Sequence, residues 1–338
     1  MRRRAAGNAM PLVPLVPPVP PVPTSPAPPS QAVRQWSLAA AIVMMAVWGA
    51  NFAVTKIVLA EIGVAVFLCI RFIWMPVLGF GLIAWVYRGR WREALPLRRD
   101  LPRFIVCGLL GHTAHVGIVT WGINFSTAFS SALVLTSGPV FTLLILAALK
   151  QDRLQRPQMI GTLVAFGGIV LFLSDKFVAG LARAGFGDLV LLLAAALFSL
   201  YTVLARPLTA RYGPLLLIAW TLAFGAPVLV LITLPALLSA SLTGVSTKAW
   251  LLLFWASTVS AFLGWLVWAW VNQVRGVAKS APLQYLMPPI AGVVSWLTLG
   301  EQFTWVKIGG ALVVMSGVAY AQFAGRSVAP AEKQVDAG

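Results

Sequence analysis

The stretch Gly276-Val-Ala-Lys-Ser-Ala-Pro-Leu-Gln-Tyr-Leu-Met-Pro-Pro289 opens the segment that decides the fold. It begins an apolar run ending at Leu299, followed by a polar break over residues 300–304 and a second apolar run reaching Ala324. The same order occurs from Thr127 onward. When the later copy is slid back until Ser280 lies on Ser131, Ala281 falls on Ala132, Pro288 on Pro139, Glu301 on Asp152 and Gly310 on Gly161, without a gap. The same register puts Trp270 on Trp121, and one residue more puts Arg206 on Lys56 and Gly213 on Gly63. A chain built from two similar halves is the pattern to explain.

Composition says what those halves sit in. The chain has 338 residues, 59% apolar and 10% charged, where a soluble domain carries about 25% charged residues. Apolar runs of roughly 20 residues, enough to cross a hydrocarbon core as helices, recur between short polar breaks. The expected fold is an all-α membrane protein. The net charge of +16 does not point to nucleic acid, because the cations lie between apolar runs rather than on one face of a soluble module. Cys69 and Cys107 lie in separate apolar runs with no ligand-type neighbours, which predicts core residues and neither a disulfide nor a metal site.

The runs predict ten spans, at about 36–56, 64–87, 102–122, 127–149, 157–174, 187–206, 214–238, 249–271, 277–299 and 304–324. They group into a first five-helix repeat over 36–174 and a second over 187–324. Residues 1–35, with their many prolines, form an extended tail, and 325–338 form a second tail. All Lys and Arg except Lys56, Arg71, Lys176, Arg183, Lys248 and Lys307 fall on one side of this layout. The positive-inside rule then puts both termini in the cytoplasm. Five spans per half is an odd number, so the second half enters the membrane from the opposite face. Inverted repeats of this kind enclose a site near the midplane and work by alternating access.

Particular residues carry a family resemblance. The chain resembles the drug/metabolite transporter superfamily, EamA type, through Trp48-Gly-Ala-Asn-Phe52, Arg71-Phe72, Ala281-Pro-Leu-Gln-Tyr-Leu-Met-Pro288, Leu299-Gly-Glu-Gln302, Gly309-Gly-Ala-Leu312 and Gly317. In the first half Asp152 stands where this family usually has Glu. The resemblance covers about residues 36–324. It implies ten helices in a bacterial inner membrane and the export or exchange of small metabolites, amino acids among them. Sugars and nucleotide sugars are the alternative cargo. It also implies a homodimer through the fifth and tenth spans.

The expected cavity residues are polar or aromatic groups deep in the spans. Trp48 and Asn51 in the first span match Phe198 and Tyr201 in the sixth. Gln284 and Tyr285 in the ninth lie opposite Leu135 and Thr136 in the fourth. His112 and His115 are three residues apart and share a helical face, where imidazoles bind carboxylate or relay protons. Arg71 and Lys279 are the cations placed to meet an anion, and a helix-locking role is the other reading of Arg71. Pro139, Pro288 and Pro289, mid-span and matched between halves, are hinge positions. No Asp or Glu lies deep in a span, which disfavours cationic cargo. An intramembrane enzyme needs a paired nucleophile and base, and only the two histidines come close. No catalytic residue and no cofactor is expected; the partners are a small solute and the lipid bilayer.

Overall fold

The computed structural model describes residues 30–149, 156–178, 182–276 and 280–323. Ten helical segments occur among them, one for each expected span. They are α1 (Gln31–Glu61), α2 (Val64–Val86), α3 (101–125), α4 (128–148), α5 (Arg156–Val178), α6 (182–212), α7 (214–239), α8 (247–275), α9 (281–299) and α10 (Trp305–Phe323). Two short 3-10 turns, Trp91–Ala94 and Arg98–Asp100, join α2 to α3. The Pro-rich tail and Lys279 lie outside the described residues.

The helices form where apolar runs are long enough, and their ends are written locally. Ser30, Thr127 and Ser246 cap α1, α4 and α8, their hydroxyls accepting from Val33, Ser130 and Ala249 N–H. α6 and α7 are separated only by Gly213, whose φ of 73° lies in the left-handed region. The bundle is apolar outward: Trp36, Leu163, Val170, Leu231, Leu297 and Trp305 are all exposed. That is the surface expected of helices facing lipid rather than water.

The two halves run in opposite senses. α1 ends at Glu61, whose carboxylate accepts from the Ser246 backbone N–H (2.7 Å) and hydroxyl (2.8 Å) at the start of α8. α6, its counterpart, ends where Arg211 (2.6 Å) and Tyr212 (2.5 Å) donate to Asp100, at the start of α3. These two anchors occupy opposite ends of the bundle, called below the Glu61 end and the Asp100 end. Packing follows the same two-fold logic. α2 lies against α7 and α5 against α10, while α1 contacts α8 and α9 as α6 contacts α3 and α4. The fold is thus two inverted five-helix repeats.

The glycines of α5 and α10 serve that internal pairing. A Cβ on Gly310 would meet the Phe172 backbone at 2.9 Å, and one on Gly317 would meet Ala165 N at 2.4 Å. Small residues let these helices approach within the chain itself.

Four helices differ from the regular spans the sequence predicts. α3 contains a π-helical stretch, Leu109–His115, and α8 contains another, Ala256–Leu263. They fall at matching places in the two repeats. α4 is interrupted at Thr136–Ser137, and α9 begins as a 3-10 helix, Ala281–Leu286. Pro139 and Pro288 therefore sit in the first turn of a fresh helix, where a missing N–H costs nothing, rather than kinking a continuous one. Pro139 and Pro288 are buried, and Pro289 is exposed. The Gly138 carbonyl beside the first break accepts from Ser199 on α6 (2.7 Å) and from Thr142 (3.1 Å). Neighbouring helices satisfy the interrupted backbone, as a membrane interior requires.

Candidate functional site: two cavities and the aromatic layer between them

Two cavities lie one on each side of the bundle's middle, the first between the repeats and the second within the second repeat. The first, about 120 Å³, is lined mainly by residues of the Glu61 half, among them Trp48, Asn51, Thr55, Arg71 and His115, and by Gln284 from the first turns of α9. The second, about 280 Å³, is lined by residues of the Asp100 half, among them Tyr201, Arg206, Thr209, Asn272 and Gln273. Phe198 and Trp265 line both. They are the shared wall.

That wall is a cluster of rings from both repeats. Trp265 lies 5.6 Å from Phe198, 5.4 Å from Tyr201 and 4.7 Å from His112 between ring centroids. Trp48 and Trp268 meet edge to face at 5.7 Å. The π-helical stretch of α8 turns a backbone carbonyl outward, and Trp48 Nε1 donates to it at Ser260 (2.8 Å). Gly264 leaves room for the indole, since a Cβ there would lie 2.6 Å from Trp48 Nε1.

The histidines are held differently from each other. His115 Nδ1 donates to the Ala194 carbonyl (2.8 Å), which leaves Nε2 as an acceptor, and the ring lines the first cavity. The Thr221 hydroxyl gives its proton to Leu217 O (2.7 Å). His112 Nε2 must therefore donate to Thr221 Oγ1 (3.0 Å), and His112 Nδ1 is buried without a partner. Both rings contact Trp265, but the π-helical turn between them replaces the regular face the sequence spacing suggests. Only His115 borders a cavity.

Arg71 is buried, 8% exposed, and lines the first cavity. Its Nε has no hydrogen-bond partner, and its guanidinium carbon sits 5.7 Å from the Phe67 ring centroid. No carboxylate among the described residues reaches it. An unpaired buried charge costs several kcal/mol. Asn51 donates through Nδ2 to Thr55 (3.3 Å) and leaves Oδ1 unpaired.

The remaining expected residues fall elsewhere. Tyr201 borders the second cavity. Tyr285 packs among Phe172, Val314 and Leu133, away from both cavities. Thr136 donates to Leu133 O within the α4 break (2.5 Å). Pro139 and Gln284 adjoin a small void of about 20 Å³ beside that break. Trp121 is half exposed on the outer surface. Reading from sequence alone passes over Trp265 and Ser260. The repeat register offers a signal for the first, because one residue beyond the Ser280–Ser131 interval carries Trp265 onto His115.

At the Glu61 end the connection between α3 and α4 is firmly held. Lys56 Nζ donates to the carbonyls of Ile123 (3.2 Å), Asn124 (3.2 Å) and Ser126 (2.8 Å). Glu301 accepts from Ala128 N–H (2.7 Å) and Phe129 N–H (3.3 Å), and the Ser126 hydroxyl donates to Asp188. A cation on the last carbonyls of one helix and an anion on the first amides of the next complement both helix ends. Arg206 occupies the position of Lys56 in the second repeat. It is exposed, lines the second cavity beside Asn272, Gln273 and Gly276, and makes no hydrogen bond or ion pair among the described residues.

Residues 35–174 and 185–321 each match the EamA-like transporter family. The chain belongs to that family and is a membrane transporter. Over 223 residues it is 29% identical to a "Probable terminal-alkyne amino-acid exporter" of Streptantibioticus cattleyicolor, spanning 66% of this chain and 73% of that one. Over 293 residues it is 25% identical to a "Probable amino-acid metabolite efflux pump" of Salmonella typhimurium, spanning 82% and 92%. A solved crystal structure covers 87% of this chain and 99% of its own length, with a TM-score of 0.62 at 15% identity, a likeness of fold.

Proposed function

We propose that this transporter exports or exchanges small metabolites, amino acids foremost, across a bacterial inner membrane with both termini in the cytoplasm. The observation that carries the reading is a cavity between the two inverted repeats, separated by one aromatic layer from a second cavity within the second repeat. A solute held at that layer reaches either side when one set of helices rocks against the other, without unfolding a helix. The names of the two relatives support amino acids as cargo. The orientation draws its support from the Lys and Arg distribution: with the Asp100 end inside, Arg88, Arg90, Arg92, Arg98, Arg99 and Arg103 face the cytoplasm.

The test is counterflow in liposomes containing the purified full chain. Liposomes preloaded with one unlabelled solute are offered labelled amino acids, sugars or a nucleotide sugar, with and without a pH gradient. Accumulation of a labelled amino acid is the expected result. Accumulation of the sugars alone, or of nothing, rejects the amino-acid reading.

A further inference from the structure

We infer that Arg71 is the carboxylate-binding residue of the first cavity, and that the solute it receives is a compact zwitterion, an α-amino acid whose ammonium group meets Asn51 Oδ1. The inference rests on the transporter reading above and names the chemistry of its site.

A cation that locks helices together bonds their carbonyls, and Lys56 in the same protein does so three times over. Among the described residues Arg71 makes no such bond, although it is only 8% exposed, and its Nε has no acceptor among them. The Phe67 ring one turn away orients the guanidinium but does not neutralise it. The acids are engaged elsewhere. Glu61 is bonded to Ser246, Asp100 to Arg211 and Tyr212, Asp188 to Ser126, and Glu301 to the start of α4. None of these acids lines the first cavity, and Arg71 is the one lysine or arginine in its lining. Its complement is an anion with two oxygens for a forked donor, which is a carboxylate.

Asn51 Oδ1 is buried, lines the same cavity and has no donor. A group that supplies both an anion and an N–H donor pairs both residues at once. The apolar remainder of the lining, Phe52, Val116, Val119, Ile123 and Leu135, is suited to an aliphatic side chain. The volume of about 120 Å³ is on the scale of a small amino acid rather than a nucleotide sugar.

The experiment uses the full chain in liposomes with L-leucine, L-leucinamide and chloride as probes. Quenching of the cavity tryptophans, Trp48 and Trp265, reports binding, and counterflow reports transport. Leucine is expected to bind and leucinamide, which lacks the carboxylate, to fail as a competitor. Arg71→Gln is expected to weaken leucine binding roughly 10- to 100-fold, the loss of one charge-assisted bond. Arg71→Lys is expected to recover part of it. Asn51→Leu is expected to weaken leucine binding and leave that of isovalerate, which lacks the ammonium, unchanged. Thermal melting of each variant in detergent separates lost binding from lost folding. Leucinamide competing as well as leucine, or a folded Arg71→Gln variant with wild-type affinity, overturns the assignment. So does chloride displacing leucine at equal concentration, since the site would then be one for inorganic anions. If carboxylates quench the tryptophans through Arg71 but no amino acid is transported, the transporter cargo is wrong and the site stands. If leucine is transported and Arg71→Gln leaves it unaltered, the site is wrong and the cargo stands.

Discussion

Lys56 and Arg206 occupy one position of the repeat, and the protein treats them in two ways. Lys56 is drawn down onto three carbonyls at the end of α3, and the α3–α4 connection is fastened from three directions. Arg206 stands in the wall of the larger cavity beside the corresponding end of α8, exposed and unbonded among the described residues. A symmetric sequence has folded into an asymmetric structure. The interaction made by Lys56 at the Glu61 end has no counterpart among the described residues at Arg206, the asymmetry expected if the two ends open in turn as proposed.

The comparison can be broken most forcefully at Lys56. Lys56→Ala strands three helix-end carbonyls and is expected to cost roughly 2–3 kcal/mol in unfolding measured in detergent. Glu301→Gln removes the charge that holds the first amides of α4 and is expected to cost about 1–2 kcal/mol by the same measurement. Tyr212→Phe removes one bond to Asp100 and leaves the Leu97 N–H without its acceptor (3.0 Å). Its expected cost is about 1 kcal/mol, and it sharpens the comparison because it weakens the Asp100 end only. Arg206→Ala is expected to change stability by less than about 0.5 kcal/mol. An Arg206→Ala loss as large as that of Lys56→Ala would erase the asymmetry.

Much of the architecture was legible before any coordinates. Ten spans follow from apolar run length, and their inversion follows from five spans per half. The α6–α7 boundary was marked by Gly213 and its match to Gly63. The details of the site were less legible, for physical reasons. A π-helical stretch such as Leu109–His115 depends on how α3 packs against α6 and α7 and has no local residue signature. Tyr285 and Thr136 have the polarity of cavity residues, but packing turns one toward α5 and α10 and the break in α4 claims the other. Arg71 was ambiguous between lock and ligand because spacing gives its depth and not its partners. Trp265 was passed over because one tryptophan among 14 is not distinctive until its neighbours are known.

One expectation underlies the rest, that the two cavities open in turn. Its most direct test places a single cysteine in each, Thr55→Cys in the first and Thr209→Cys in the second, in a chain whose buried Cys69 and Cys107 are replaced by alanine. A membrane-impermeant thiol reagent is applied to either face of sealed vesicles, with and without transported solute. The account predicts that residue 209 reacts from one face and residue 55 from the other. It also predicts that any solute that raises the rate at one lowers it at the other. Both positions reacting faster together, or both reacting from the same face, would contradict it.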